Sequence, residues 1–424
     1  MEQPFKNFYK RTRQEKVALL KTLGYLPADD TQSHLPEEIA DQMVENYLFN
    51  YELPLGVAVN FNINEKDYVI PMVVEEPSVI AAASNGAKKI GPIKTSVSHR
   101  ELIGQIVFAE VTDVDQKVNL IESRNEELLQ LARSFSPSMV KRGAGPNRIW
   151  VETKQDTTGD YLIVYVGMDT GEAMGANAIN TVLEGIAPEI AQLIQQPILF
   201  SILSNYSETA ITTAQARIPV LTLHPNAVEA EQIAHKLELA SRYAHIDVYR
   251  ATTHNKGIMN GIDPVLIATG NDWRAVEAGV HAYASRNGNY ESLTEWVIDK
   301  KTNELVGTIS LPLAIGTVGG TIAVHPSAQW SLKLLGNPDA ETLAGIVASV
   351  GLAQNFAAIF ALVTDGIQKG HMALQAKSLA LQAGAHVDEL PQVIEKLKQK
   401  QKQPVNQAVA KEILDEIRKQ NQTI

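Results

Sequence analysis

Reactive side chains gather among small residues at four places in this 424-residue sequence. They are Glu75-Glu76-Pro77-Ser78, the segment 249–263 with Arg250, His254, Lys256, Asn260 and Asp263, the run Thr269-Gly270-Asn271-Asp272-Trp273-Arg274, and Gly370-His371. Small neighbours let backbone come close to a ligand, so these are the places to look for chemistry. Carboxyl and imidazole groups can pass protons and an ammonium can hold negative charge, so acid–base and electrostatic work on a bound ligand is what such a set could carry. On spacing alone each residue also has a plainer reading. Lys256 could be a surface lysine, Asp272 a helix cap, and His371 a helix-end imidazole complementing the dipole. No pair among His245, His254, His325 and His371 has the i,i+4 spacing of a helical zinc site, so no catalytic metal is expected.

The elements that must position these groups are legible in outline. β-Branched residues over 55–74, with a turn at Asn64-Glu65, read as a strand hairpin, and Pro77 suits the first turn of a following helix. Between 102 and 208 the pattern is strand 103–111, helix 126–135, strands 148–153 and 161–167, helix 177–195 and strand 198–203. That order describes a small inserted domain of ferredoxin-like, split βαβ type. Helices follow at 228–242 and 273–285, and a strand pair over 296–311, whereas 250–261 reads as a polar, glycine-bearing turn. The apolar run 342–364 is long enough to cross a bilayer, but it carries Gln354 and Asn355 mid-way and lacks aromatic or basic flanks, so it reads as a buried core helix. The tail over 387–424 reads as two helices joined near Pro404.

The expected fold class is α+β. A large helical and stranded substrate domain with a central buried helix (1–101 and 209–367) carries the inserted cofactor domain (102–208) and a helical C-terminal flap (368–424).

Composition narrows the class of function. A net charge of −11 gives no basic field for phosphate backbones, so nucleic acid is not expected as a partner. With no cysteine there is no disulfide, thiolate metal site or cysteine nucleophile. Residues 1–15 are polar and lack the apolar stretch of a secretory signal, so a cytoplasmic location without membrane association is expected. Neither G-x-G-x-x-G after a strand nor a P-loop occurs. The best place for a dinucleotide is Asp169-Thr170-Gly171-Glu172-Ala173-Met174-Gly175-Ala176-Asn177, where a strand ends and a helix opens.

Taken together, the segments Glu45-Asn46-Tyr47-Leu48, 73–78, 172–181, 253–263, 269–279 and 366–374 resemble the class II, soluble bacterial 3-hydroxy-3-methylglutaryl-CoA reductases, from about residue 39 to 382. The resemblance implies that Glu76, Lys256, Asp272 and His371 are catalytic. It implies that Ser78, Arg250 and Asn260 meet the acyl part of the substrate, and that 172–177 meets a nicotinamide dinucleotide. The implied reaction is a four-electron reduction of 3-hydroxy-3-methylglutaryl-CoA to mevalonate and free CoA, in the mevalonate route to isoprenoids. Lys256 would hold each oxyanion, Asp272 would hold Lys256, Glu76 would protonate the alkoxide and His371 the departing thiolate. A homodimer, or an assembly of dimers, is implied as well.

Two departures stand out. The family's D-A-M-G-A-N begins here with Glu172, with Asp169 nearby. NAD-preferring relatives carry an aspartate where this chain has Ser136, and Arg133, Lys141, Arg142 and Arg148 lie close in sequence. With no carboxylate to repel a 2′-phosphate, NADPH is expected over NADH, with Ser136 and Arg142 among the contacts.

Overall fold

The computed structural model describes residues 4–27, 34–364, 366, 376–377, 379–399 and 406–422. His371 lies outside the described residues, as does Pro404. The chain opens with α1 (Arg13–Thr22), whose Thr12 and Glu15 form a reciprocal capping box, and α2 (Glu37–Met43). The hairpin of β1 (Leu55–Ile63) and β2 (Lys66–Val73) turns through Asn64 and Glu65, both at positive φ (47° and 68°). Two successive left-handed residues twist a two-residue hairpin the way its strands twist. Helix α3 (Val79–Ile90) and strand β3 (Ile93–Val97) follow.

Next comes a self-contained unit: β4 (Glu101–Phe108), α4 (Val114–Ser123), α5 (Asn125–Ser134), α6 (Pro137–Val140), β5 (Gly145–Gln155), β6 (Asp160–Asp169), α7 (Ala176–Ile194) and β7 (Phe200–Ser204). Its antiparallel sheet runs β5-β6-β4-β7, with a hydrophobic core of its own centred on Ile106, Leu162, Val164, Ile179 and Ile186. Three short helices stand where the sequence pattern suggested one. The chain then returns through β8 (Ile211–Pro219), α8 (Ala227–Ile246), α9 (Val248–Ala268), α10 (Trp273–Ala284), β9 (Thr294–Asp299), β10 (Glu304–Pro312), α11 (Pro326–Leu334) and α12 (Ala340–Val363). The second sheet is ordered β2-β1-β3-β8-β10-β9.

Helix α12 is the axis of the larger core. Every residue from Leu343 to Phe356 is buried, and the helix packs on α3, α9 and β8. Of its two mid-helix polar residues, Asn355 is accommodated by protein: it accepts from Trp296 Nε1 at 2.9 Å and Thr294 Oγ1 at 3.1 Å, and its amide meets His254 Nε2 at 2.9 Å. Buried polar groups persist where partners are supplied. Two C-terminal helices, α13 (Leu390–Gln399) and α14 (Gln407–Gln422), share a separate small core with Ala376 and Ala380.

Candidate active site

The segment 250–261 is not a turn. It lies inside the 21-residue helix α9, despite Thr252, Thr253, Gly257 and Asn260, which are weak helix formers. Tertiary contacts override propensity here. His254 is buried, with Nε2 2.6 Å from Thr294 Oγ1, and burial drives its pKa down to about 3, so it stays a neutral hydrogen-bonding group. Asn255 donates to Glu291 O (2.9 Å) and accepts from Leu293 N (3.1 Å). With residues 254 and 255 anchored inward, Lys256 is carried on the open face, its side chain 63% exposed.

There Lys256 Nζ lies 3.4 Å from Glu76 Oε2. Glu76 sits in the short connection from β2 to α3. Two residues on, Ser78 caps α3 with φ 81°, a left-handed value that non-glycine residues seldom adopt, and its Oγ is buried without a hydrogen-bond partner. Arg250, half-buried on α9, has its pKa lowered by desolvation, and among the described residues no carboxylate pairs with it. Asn260 is on the same face as Lys256, one turn on.

Asp272 is the N-cap of α10: its Oδ1 accepts from Arg274 N (3.1 Å) and Ala275 N (3.2 Å). Its ion pair is with Arg274 Nε at 3.3 Å. The direct clasp of Lys256 by Asp272 anticipated from sequence is thus replaced by Lys256 with Glu76, because the N–H groups of the helix and Arg274 engage the Asp272 carboxylate.

The loop over 169–177, expected to meet a dinucleotide, is held beside this cap. Asn271 Oδ1 accepts from Gly316 N at 2.8 Å, and a Cβ at Gly316 would stand 2.5 Å from Met174 N, so the loop rests on that glycine. Ala173 also bridges Val318. Helix α7 opens behind Gly175 (φ 91°) with no side-chain cap and no acidic residue in its first turn, leaving N–H groups at Ala176 and Asn177 for an anion. Met174 is part-buried in this loop.

Several residues expected to touch a cofactor have other work. The Glu172 carboxylate accepts from Thr317 Oγ1 (3.0 Å) and from Ala340 N (2.8 Å), at the start of α12, so it latches the loop to the large core. Asp169 Oδ1 accepts from Gly171 N at 2.8 Å and shapes the turn. Ser136 is buried and its Oγ enclosed, so the hydroxyl does not face an open site. Arg148 forks onto Glu101, with Nε–Oε1 at 3.0 Å, and stacks on Trp150; Arg133 donates to Pro146 O. Lys141 and Arg142 stay exposed in the turn after α6. Sequence reading missed Asn271 and Gly316 as organisers of the site; the only signal was a glycine in a glycine-rich loop.

The sequence also matches known proteins. A family model described as hydroxymethylglutaryl-coenzyme A reductase covers residues 12–376. The chain belongs to that family. It is 40% identical over 418 residues to the 3-hydroxy-3-methylglutaryl-coenzyme A reductase of Archaeoglobus fulgidus, covering 97% of this chain and 94% of that one. A 3-hydroxy-3-methylglutaryl-coenzyme A reductase structure from Streptococcus pneumoniae superposes with a TM-score of 0.83 at 44% identity, covering 97% of this chain and 99% of that one. A class II enzyme from the same organism, bound to NADPH in open conformations, gives 0.82 at 44% identity over 85% of this chain and all of that one. Family membership makes the Glu76–Lys256 pair the first place to look for the reductase chemistry.

Proposed function

We propose that this chain is a soluble, cytoplasmic class II 3-hydroxy-3-methylglutaryl-CoA reductase that makes mevalonate and free CoA, and that its residues divide the work as follows. The observation that carries the assignment of roles is the Lys256–Glu76 pair, 3.4 Å apart and open to a ligand. The dinucleotide supplies the reducing equivalents in two rounds. Lys256 stabilises the negative charge that develops on the carbonyl oxygen, the device that lowers such barriers most. Glu76, taking up a proton as its contact with Lys256 gives way to the substrate, passes that proton to the alkoxide. Arg250, which pairs with no carboxylate among the described residues, meets the carboxylate of the acyl group, and Ser78 and Asn260 supply hydroxyl and amide bonds. Asp272 fixes the start of α10 beside the dinucleotide loop. His371, by family resemblance, protonates the departing thiolate.

Residues 102–208 act as the cofactor domain. The uncapped start of α7 fits a pyrophosphate, and the exposed Lys141 and Arg142 can meet a 2′-phosphate. NADPH is the cofactor of choice: with a serine and no carboxylate at 136, kcat/KM should be higher with NADPH than with NADH, and the reverse ratio in steady-state kinetics would overturn this. Gly316→Ala should raise KM for NADPH about tenfold or more by pushing the loop off its seat. Unchanged KM would show that the loop yields freely.

A second copy of the chain completes the site. Leu48 and Tyr51 are each 85% exposed, and Ile246 (82%) and Tyr249 (84%) stand just before the Lys256 turn, an apolar set suited to burial in a homodimer. Sedimentation of the purified protein measures this directly. The test of the reaction is loss of reduced-nicotinamide absorbance that depends on 3-hydroxy-3-methylglutaryl-CoA, with mevalonate as product. Thioester cleavage without such loss would indicate a hydrolase.

A further inference from the structure

Helix α9 is tied to α10 at two points that bracket Lys256 and Asn260, and the ties form one continuous circuit of polar side chains. At the far end, the Asp263 carboxyl meets Glu277 of α10 in a side-chain hydrogen bond. Glu277 Oε2 lies 2.6 Å from His281 Nε2, one turn further along the same helix. His281 Nδ1 lies 2.7 Å from Tyr290 Oη, in the connection to β9, and the two rings stack at 5.9 Å. Asn255, on α9 beside Lys256, acts in turn on the Tyr290 hydroxyl and brings the chain of contacts back to α9.

Donors and acceptors match along the whole circuit with a neutral His281. The Asn255 amide donates to Tyr290, the Tyr290 hydroxyl to His281 Nδ1, and His281 Nε2–H to the Glu277 carboxylate. Glu277 then accepts a second time, from Asp263, which must carry a proton, because two carboxylates in contact cannot both be ionised without mutual repulsion. The other Asp263 oxygen, Oδ1, is buried with no partner, an arrangement costly for an anion and mild for a neutral carboxyl. Burial first, and Glu277 second, push Asp263 up to about 8, while the His281 hydrogen bond holds Glu277 below the usual carboxylate range. Among the described residues, Glu277 is the charged group acting on Asp263; His281 from α10 and Tyr290 from the following connection face Glu277.

We infer that the circuit Asp263–Glu277–His281–Tyr290–Asn255 is a positioning device for the reductase reaction: it clamps the turn of α9 bearing Lys256 and Asn260 against the helix capped by Asp272. None of the five need touch substrate. The inference rests on the reading of Lys256 as a site residue, and it makes a stability statement that does not. The folded chain holds the Asp263 proton far more tightly than the unfolded chain does. The stability this contributes is full below the ordinary aspartate range, near pH 4, and is lost as pH rises through about 8.

Asp263→Asn separates the possibilities, because its amide donates to Glu277 at every pH. The wild-type protein should lose both turnover and thermal midpoint as pH rises through about 8. The Asn variant should keep turnover near wild type at pH 7 and show neither alkaline loss. Asp263→Ala, which breaks the tie, should lower kcat about tenfold to a hundredfold by misplacing Lys256, with a smaller change in KM. Identical alkaline loss of kcat in wild type and Asn variant, or an Ala variant with wild-type kcat, overturns the inference. If the chain were no reductase at all, the pH dependence of the thermal midpoint would still decide: the same slope in wild type and Asn variant would refute the shared-proton circuit.

Discussion

Lys256→Ala should lower kcat by at least two orders of magnitude while leaving the protein folded. Removing one preorganised oxyanion donor costs roughly 2.7–4 kcal/mol, and a cation facing the developing charge belongs in that class. The fold should tolerate the change because the side chain is 63% exposed and its partner Glu76 46% exposed, and exposed ion pairs contribute only about 0–1 kcal/mol to stability. The helix does not depend on Lys256 either: α9 is held by His254, Asn255, Ile258 and Met259 on its inner face. An unchanged thermal midpoint with a collapsed kcat would place the defect in the transition state. Near-normal turnover would remove Lys256 from the mechanism and leave the Glu76 contact as ordinary surface pairing.

That outcome bears on how the sequence could be read. Strong periodic elements were legible: α5, α7, α8 and α10, the β1–β2 hairpin and the strands of 101–204 stand where apolar spacing and turn residues point, whereas the short helices α4 and α6 were not anticipated. The buried character of α12 was legible too, from Gln354 and Asn355 at its middle. Strand β8 was not. It lies at the centre of the large sheet, yet its inward residues are Thr212, Ala214, Ala216 and Ile218. Three of the four are small or polar, because α12 packs close above them, and small residues leave the alternation too faint to see. Helix α9 failed the reading for a different reason. Its threonines, glycine and asparagines favour a turn locally, and the contacts that make it a helix come from β9 and α12, far away in sequence.

The candidate site divides along the same line. Side-chain types marked Glu76, Lys256 and Asp272 before any geometry was known, and resemblance to a family sorted them from surface charges. Their partners could not be deduced. That Glu172 would brace the start of α12, or that Asn271 would reach Gly316, depends on how two separately cored units meet, which local spacing does not encode.

Glu76→Gln should cost about two to four orders of magnitude in kcat, the range over which a positioned general acid works. Glutamine keeps the size of the side chain and an oxygen for Lys256 Nζ to approach, so the 3.4 Å contact can persist. What is lost is the proton. The two substitutions also make a joint prediction: if Lys256 and Glu76 act on one oxygen in one transition state, Lys256→Ala in the Glu76→Gln background should cost little beyond the larger single loss, as groups that act as a unit do. Losses that multiply would mean the two residues serve separate steps, the ammonium in the addition and the carboxyl in a later proton transfer. Single-turnover measurements on the thioester and on free mevaldehyde would then show which step each controls. Glu76→Gln with near wild-type turnover on both substrates would take the proton donor away from residue 76 altogether.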